Sequence, residues 1–219
     1  MKTHGLLFDY NGVIVNDEHL QREAMLRVLA QNNIQLTSAQ YEKNCLGQTD
    51  QAGFANLQAI FPELNRLSAA ALVQAKVNQY QNLIKNKDII YSGVKNTLNS
   101  LKDHFLLGLV TGSLRVEVEP ILSQANLNQV FTAIISADDI SHSKPDPEGY
   151  LKGIAALDLP ASQIIAVEDT ATGLTAARAA GLKCVAVLGT QTPDQLAQAD
   201  QIIKSVEEVT PELVEALLN

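Results

Sequence analysis

The chain has 219 residues, 46% hydrophobic and 18% charged, which suits one large soluble domain or a core carrying a smaller insertion. A net charge of −8 and a pI near 4.9 argue against nucleic acid or an anionic membrane as partner. Any anionic substrate must then be held by local cations or a metal.

In chain order, the first signal is Leu6 to Val15, LLFDYNGVIV, an apolar run that ends in Asp9 and breaks at Asn11-Gly12. Short apolar runs closed by a turn signal read as buried strands, here the central strand of a parallel sheet. Asp9 would stand at the carboxyl end of that strand, where open α/β sheets bind ligands, and Gly12 allows a tight turn below it. Taken alone, the stretch fits a strand followed by an Asx turn equally well. Residues 16 to 89 hold helical patterns and no convincing strand. Helices are expected over 16–32, from Thr37 (with Gln40 as a capping box) to Gly47, from Thr49 to about Ile60, and over 68–86. The domain expectation is therefore an α/β core over 1–15 and 90–219, with a four-helix insertion at 16–89.

Beyond Gly93 the pattern alternates. A helix ending near His104 precedes the strand FLLGLV, closed by Thr111-Gly112-Ser113. A helix over 116–126 leads to a strand over 132–136, the loop SHSKPDPEGY and a helix over 147–157. The strand IIAV ends in Glu168-Asp169, an Ala-rich helix covers 173–180, and CVAVL is the next strand. Gln201 to Ile203 reads as a short edge strand, and Thr210-Pro211 opens a last helix. Strands alternating with helices predict a Rossmann-like, doubly wound parallel sheet. Cys45 and Cys184 lie far apart in apolar surroundings and are expected as buried thiols. The apolar run after Lys2 is too short for a signal peptide and nothing approaches membrane-spanning length, so the cytoplasm is the expected compartment; a monomer is also expected.

The polar residues fall at strand ends: Asp9, then Thr111-Gly112-Ser113, then Glu168-Asp169, with Lys144 in the loop after the third strand. In a doubly wound sheet these ends converge on one crevice. Three carboxylates, a hydroxyl and a lysine there suit Mg²⁺ and a phosphate, because hard oxygen ligands hold the ion while hydroxyl and ammonium groups hold phosphoryl oxygens.

Together FDYNGVIVNDE, LVTGS, SKPDPEGY and VEDTATGLTAARAAG resemble the haloacid dehalogenase superfamily, most closely its phosphatases and β-phosphoglucomutase-like members with a helical cap. The resemblance covers nearly the whole chain, and the insertion stands where that cap would be. It implies that Asp9 is a nucleophile forming an aspartyl-phosphate, that Thr111 hydrogen-bonds the phosphoryl group and that Lys144 neutralises charge. It implies Mg²⁺ held by Asp9, the backbone carbonyl of Asn11, Asp169 and, directly or through water, Glu168. Tyr10, Gly112 and Ser113 are the expected substrate contacts, and the substrate a small phosphorylated metabolite.

Asn11 departs from the family pattern, whose phosphatases carry a second aspartate there as general acid and base. The metal's backbone ligand survives the change, but an amide cannot shuttle a proton, a function typically worth about 10²–10⁴ in rate. Glu18 and His19 are the nearest candidate substitutes; Asn16 is a second departure, and His142 reads as solvated. The stretch Gln48 to Gln51 lacks the arginine by which β-phosphoglucomutases grip a second phosphate, which sets the mutase reading aside. A Mg²⁺-dependent phosphohydrolase remains, with a catalytically degenerate phospholigand-binding protein as alternative. A dehalogenase is the minor alternative, opposed by an acidic pair that only a cation would relieve.

Overall fold

The computed structural model describes residues 2–218. They form two compact units, one of residues up to Asn16 together with those from Ile90 onward, the other Asp17–Ile89.

The first unit is built on a six-stranded sheet, all of whose pairings are parallel, in the order β3-β2-β1-β4-β5-β6. Its strands are β1 (Gly5–Phe8), β2 (Leu106–Val110), β3 (Ala133–Ile135), β4 (Ile164–Glu168), β5 (Lys183–Val187) and β6 (Gln201–Ile203). The unbroken apolar reading of β1 has a simple cause: it is flanked by β2 and β4 and buried at every residue, so neither face admits a polar side chain. Leu7 shows how tightly the layers meet. A Cβ at Gly108 would lie 2.6 Å from one Leu7 methyl, and one at Gly153 2.9 Å from the other. Two glycines thus make room for one fully buried leucine, whose burial stabilises by roughly 1.5–3 kcal/mol. The short β6 ends the sheet as an edge strand, in the place expected for it.

The helices of this unit are α5 (Val94–His104), α6 (Arg115–Gln124), α7 (Glu148–Leu157), α8 (Ala171–Ala179) and α9 (Pro211–Leu218). Helix α8 starts two residues before the expected Gly173, because the Thr170 hydroxyl accepts the Gly173 N–H and closes the first turn. Where the chain leaves and re-enters this unit, Val15 bridges Ile90 and the Tyr91 N–H donates to the Ile14 carbonyl at 3.1 Å.

The second unit comprises α1 (Glu18–Gln31), α2 (Ser38–Asn44), α3 (Asp50–Ile60) and α4 (Ala69–Ile84), with a 3-10 turn at Pro62–Arg66. The Thr37–Gln40 capping box forms with both of its bonds, and Thr49 caps α3 through the Ala52 N–H at 3.2 Å. Met25, Leu29, Tyr41, Phe54, Leu57 and Leu72 form its core. A buried polar chain crosses this core's edge. Lys76 pairs with Asp50 at 2.8 Å and reaches Gln21, whose amide donates to Asp17 at 3.0 Å.

Candidate active site

Asp9 follows β1 directly, and its N–H extends the ladder by donating to the Val167 carbonyl at 2.8 Å. The chain then reverses: Ile14 and Val15 donate back to the Tyr10 carbonyl, and the Gly12 N–H donates to Val15. Gly12 has φ +78, and a Cβ there would lie 1.8 Å from Asp169 Oδ2. Only glycine lets this loop approach the end of β4 so closely.

Three carboxylates meet at this edge. Asp9, Glu168 and Asp169 each place an oxygen within 4.8 Å of the others, and all three are buried. Lys144 answers them, its ammonium 2.6 Å from Asp9 Oδ1 and 2.6 Å from Glu168 Oε1. Glu168 is fully engaged. Oε1 also accepts the Tyr150 hydroxyl at 2.6 Å, and Oε2 accepts the Asp169 N–H at 3.2 Å and the Thr170 hydroxyl at 3.3 Å. Asp169 is the reverse case. Its Oδ2 accepts the Thr190 hydroxyl, and its Oδ1 is buried with no hydrogen-bond partner.

One ammonium cannot balance three buried carboxylates. Burial, aided by Glu168 and opposed by Lys144, pushes Asp9 up to about 7. Burial and the neighbouring Asp9 and Glu168 raise Asp169 well above the usual carboxylate range. Burial works against the charge of Lys144, but the two carboxylates outweigh it and raise its pKa. A site that strains to take up protons also favours a cation. An orphaned buried oxygen within a cluster of hard donors fits a small divalent ion.

The remaining expected residues arrange themselves around Asn11. The Ser113 hydroxyl donates to Asn11 Oδ1 at 2.8 Å and that of Thr111 at 3.4 Å, while Thr111 Oγ1 accepts the Ser113 N–H at 3.0 Å. Ser113, expected as a substrate contact, is thus committed to holding the Asn11 amide. Gly112 is half-buried between them. Tyr10, expected as a substrate contact, is instead fully buried, its carbonyl accepting the Ile14 and Val15 N–H groups and its N–H donating to Asp9. His19 is exposed, and Glu18 accepts the Tyr41 hydroxyl at 2.8 Å within the helical unit. His142 is exposed, with Nδ1 3.2 Å from Glu148. Glu148 also accepts the Ser141 and His142 N–H groups, closing the loop that carries Lys144.

Two residues of the site were not singled out in the sequence, Tyr150 and Thr190. Thr190 follows β5, so the strand-end rule that picked out Thr111 would have found it had it been applied to the fifth strand.

The haloacid dehalogenase-like hydrolase family profile matches residues 6–187. Validoxylamine A 7'-phosphate phosphatase of Streptomyces hygroscopicus subsp. limoneus is 31% identical over 206 residues, 93% of this chain and 94% of its own. Hexitol phosphatase B of Escherichia coli (strain K12) is 26% identical, with 93% of each chain covered. The β-phosphoglucomutase of Clostridium difficile shares the fold, with a TM-score of 0.87, 20% identity, and coverage of 99% of this chain and 97% of that one. A profile running from β1 to β5, and a relative aligned along nearly the full length of both chains, settle the lineage: this protein belongs to the haloacid dehalogenase-like hydrolases, among the phosphatases of that superfamily.

Proposed function

We propose that the protein is a Mg²⁺-dependent phosphohydrolase that transfers the phosphoryl group of a small phosphorylated metabolite to Asp9 and then to water. The observation that carries this reading is Lys144 bridging Asp9 and Glu168 beside the orphaned oxygen of Asp169. Asp9, Asp169 and the Asn11 carbonyl would hold the ion, with Glu168 anchoring Lys144. Bound Mg²⁺ supplies the charge that keeps the carboxylates ionised and offsets that on the phosphoryl oxygens.

In the first step an Asp9 carboxylate oxygen attacks phosphorus in line, and the bond from phosphorus to the ester oxygen breaks. Lys144 fixes the attacking carboxylate, and the Thr111 hydroxyl would turn from Asn11 to hold a phosphoryl oxygen. The departing oxygen of an alkyl ester needs a proton. In the second step water attacks phosphorus, Asp9 leaves as carboxylate, and the water must lose a proton. Asn11 can do neither, since a carboxamide does not ionise near neutral pH. Acyl and aryl phosphates, whose leaving groups depart as stable anions, should therefore turn over faster than alkyl phosphates. The helical unit is proposed as the cap that selects substrate. The names of the two phosphatase relatives, for validoxylamine A 7'-phosphate and hexitol, support a small phosphorylated metabolite.

Asn11 also favours a second reading, a protein that binds its phosphorylated ligand without useful turnover. Acyl, aryl and alkyl phosphates assayed with and without Mg²⁺, in wild type and Asp9→Ala, separate the two. Mg²⁺-dependent release of phosphate that vanishes in Asp9→Ala supports the enzyme. No release from any ester supports the binding protein.

A further inference from the structure

We propose that Thr190 is a positioning residue for the metal site, orienting Asp169 so that its free oxygen faces the ion. The inference rests on the Mg²⁺ reading above and assigns a role to a residue in the loop after β5.

A carboxylate on a short side chain can turn about its last torsion, and only one orientation presents a chosen oxygen to a ligand. At Asp169 that torsion is held by two neighbours. The Thr190 hydroxyl donates to Oδ2. The Gly12 loop closes over the same atoms: a Cβ on Gly12 would lie 1.8 Å from Oδ2 and 2.8 Å from Thr190 Oγ1. Oδ2 is thereby committed, and Oδ1 is left buried without a protein partner. The threonine loop is itself tied down. The Leu188 N–H donates to the Ile203 carbonyl at 2.9 Å, and Gln191 Oε1 accepts the Ala171 N–H at 2.7 Å at the start of α8. Ladder, helix start and hydroxyl thus converge on one oxygen of one carboxylate. Outer-shell partners of this kind typically change metal affinity by about 10–100-fold when removed.

Thr190→Val deletes the hydroxyl and keeps the branched shape, while Thr190→Ser keeps the hydroxyl and loses a methyl group. Mg²⁺ binding is measured by titration calorimetry on the full chain, with the melting temperature of the metal-free protein followed in parallel. Thr190→Val should bind Mg²⁺ about tenfold or more weakly, and Thr190→Ser should return close to wild type. Should Thr190→Val fold poorly, Thr190→Ala removes the same hydroxyl without a forced rotamer. Equal affinity in wild type and the hydroxyl-less variants overturns the role of Thr190 alone. Equal losses in the serine and valine variants overturn it as well, since packing would then be the cause. A wild-type protein that binds no Mg²⁺ removes the metal reading itself.

Discussion

Asn11→Asp changes one atom's identity and tests the chemistry more sharply than any deletion. The new carboxylate would keep the geometry of the amide, because its oxygen already accepts from Ser113 at 2.8 Å and Thr111 at 3.4 Å. Those bonds strengthen when the acceptor is ionised, from about 0.5–1.5 to about 1.5–3 kcal/mol each. Against this stands a fourth carboxylate in a site where one lysine already faces three, so the metal-free protein should lose stability. Mg²⁺ should recover it. A positioned acid/base group is worth about 10²–10⁴ in rate, which is roughly 3–5 kcal/mol of barrier. Turnover of alkyl phosphates at saturating Mg²⁺ should rise by that factor, and that of aryl phosphates by less. The Asn11-Gly12 pair calls for one control, because such pairs deamidate when the glycine nitrogen attacks the side-chain amide. Here that N–H is held by the Val15 carbonyl at 2.8 Å. Intact-peptide mass spectrometry should find folded wild type still amidated, so background activity cannot come from converted molecules. If Asn11→Asp binds Mg²⁺ but gains nothing on any ester, the missing proton shuttle is not what limits the site, and the binding-protein reading takes its place.

Three further outcomes follow from the same geometry. Lys144→Met should destabilise the metal-free protein by about 3–5 kcal/mol, because it leaves Asp9 and the fully buried Glu168 without their counter-ion; urea titration reads this, and a loss below 1 kcal/mol would mean the pairing contributes little. Gly12→Ala should cost at least about 1–2 kcal/mol through its left-handed backbone alone and should also weaken Mg²⁺ binding, since its Cβ displaces Asp169; unchanged calorimetry would refute the close approach. Glu148 is held down to about 2 by the Lys152 ammonium and by the Ser141 and His142 N–H groups. A depressed folded pKa contributes stability above the ordinary glutamate value and loses it as pH falls. Wild type should therefore lose its advantage over Glu148→Gln between about pH 4.5 and 2, and parallel denaturation curves across that range would contradict it.

Much of this site is legible from the sequence because strand ends are local signals. Asp9, Thr111 and Glu168-Asp169 each close an apolar run, and β1 lies between β2 and β4 with these ends on one edge. The helix caps at Thr37, Thr49 and Ser68 are equally local, each using a hydroxyl and an N–H three residues on. What the sequence does not show are partners brought together by folding. Tyr150 reads as an aromatic near a helix start and lies instead against Glu168. Lys76 carries no signal of its own within the helical pattern over 68–86, yet it is buried against Asp50 and Gln21. Ser113 reads as a strand-end hydroxyl free for substrate, and only its contact with Asn11, 102 residues earlier, reveals where its proton goes.

The central claim is that Asp9 carries the phosphoryl group. With Asn11 unable to activate water, the second step should lag behind the first when an acyl or aryl phosphate donates. Acid-quenched wild type, mixed with such a donor and Mg²⁺, should show one added phosphoryl group on the peptide containing Asp9. The label should be absent without Mg²⁺ and absent in Asp9→Ala. Phosphate release that continues undiminished in Asp9→Ala, or a label on any other residue, would contradict the account.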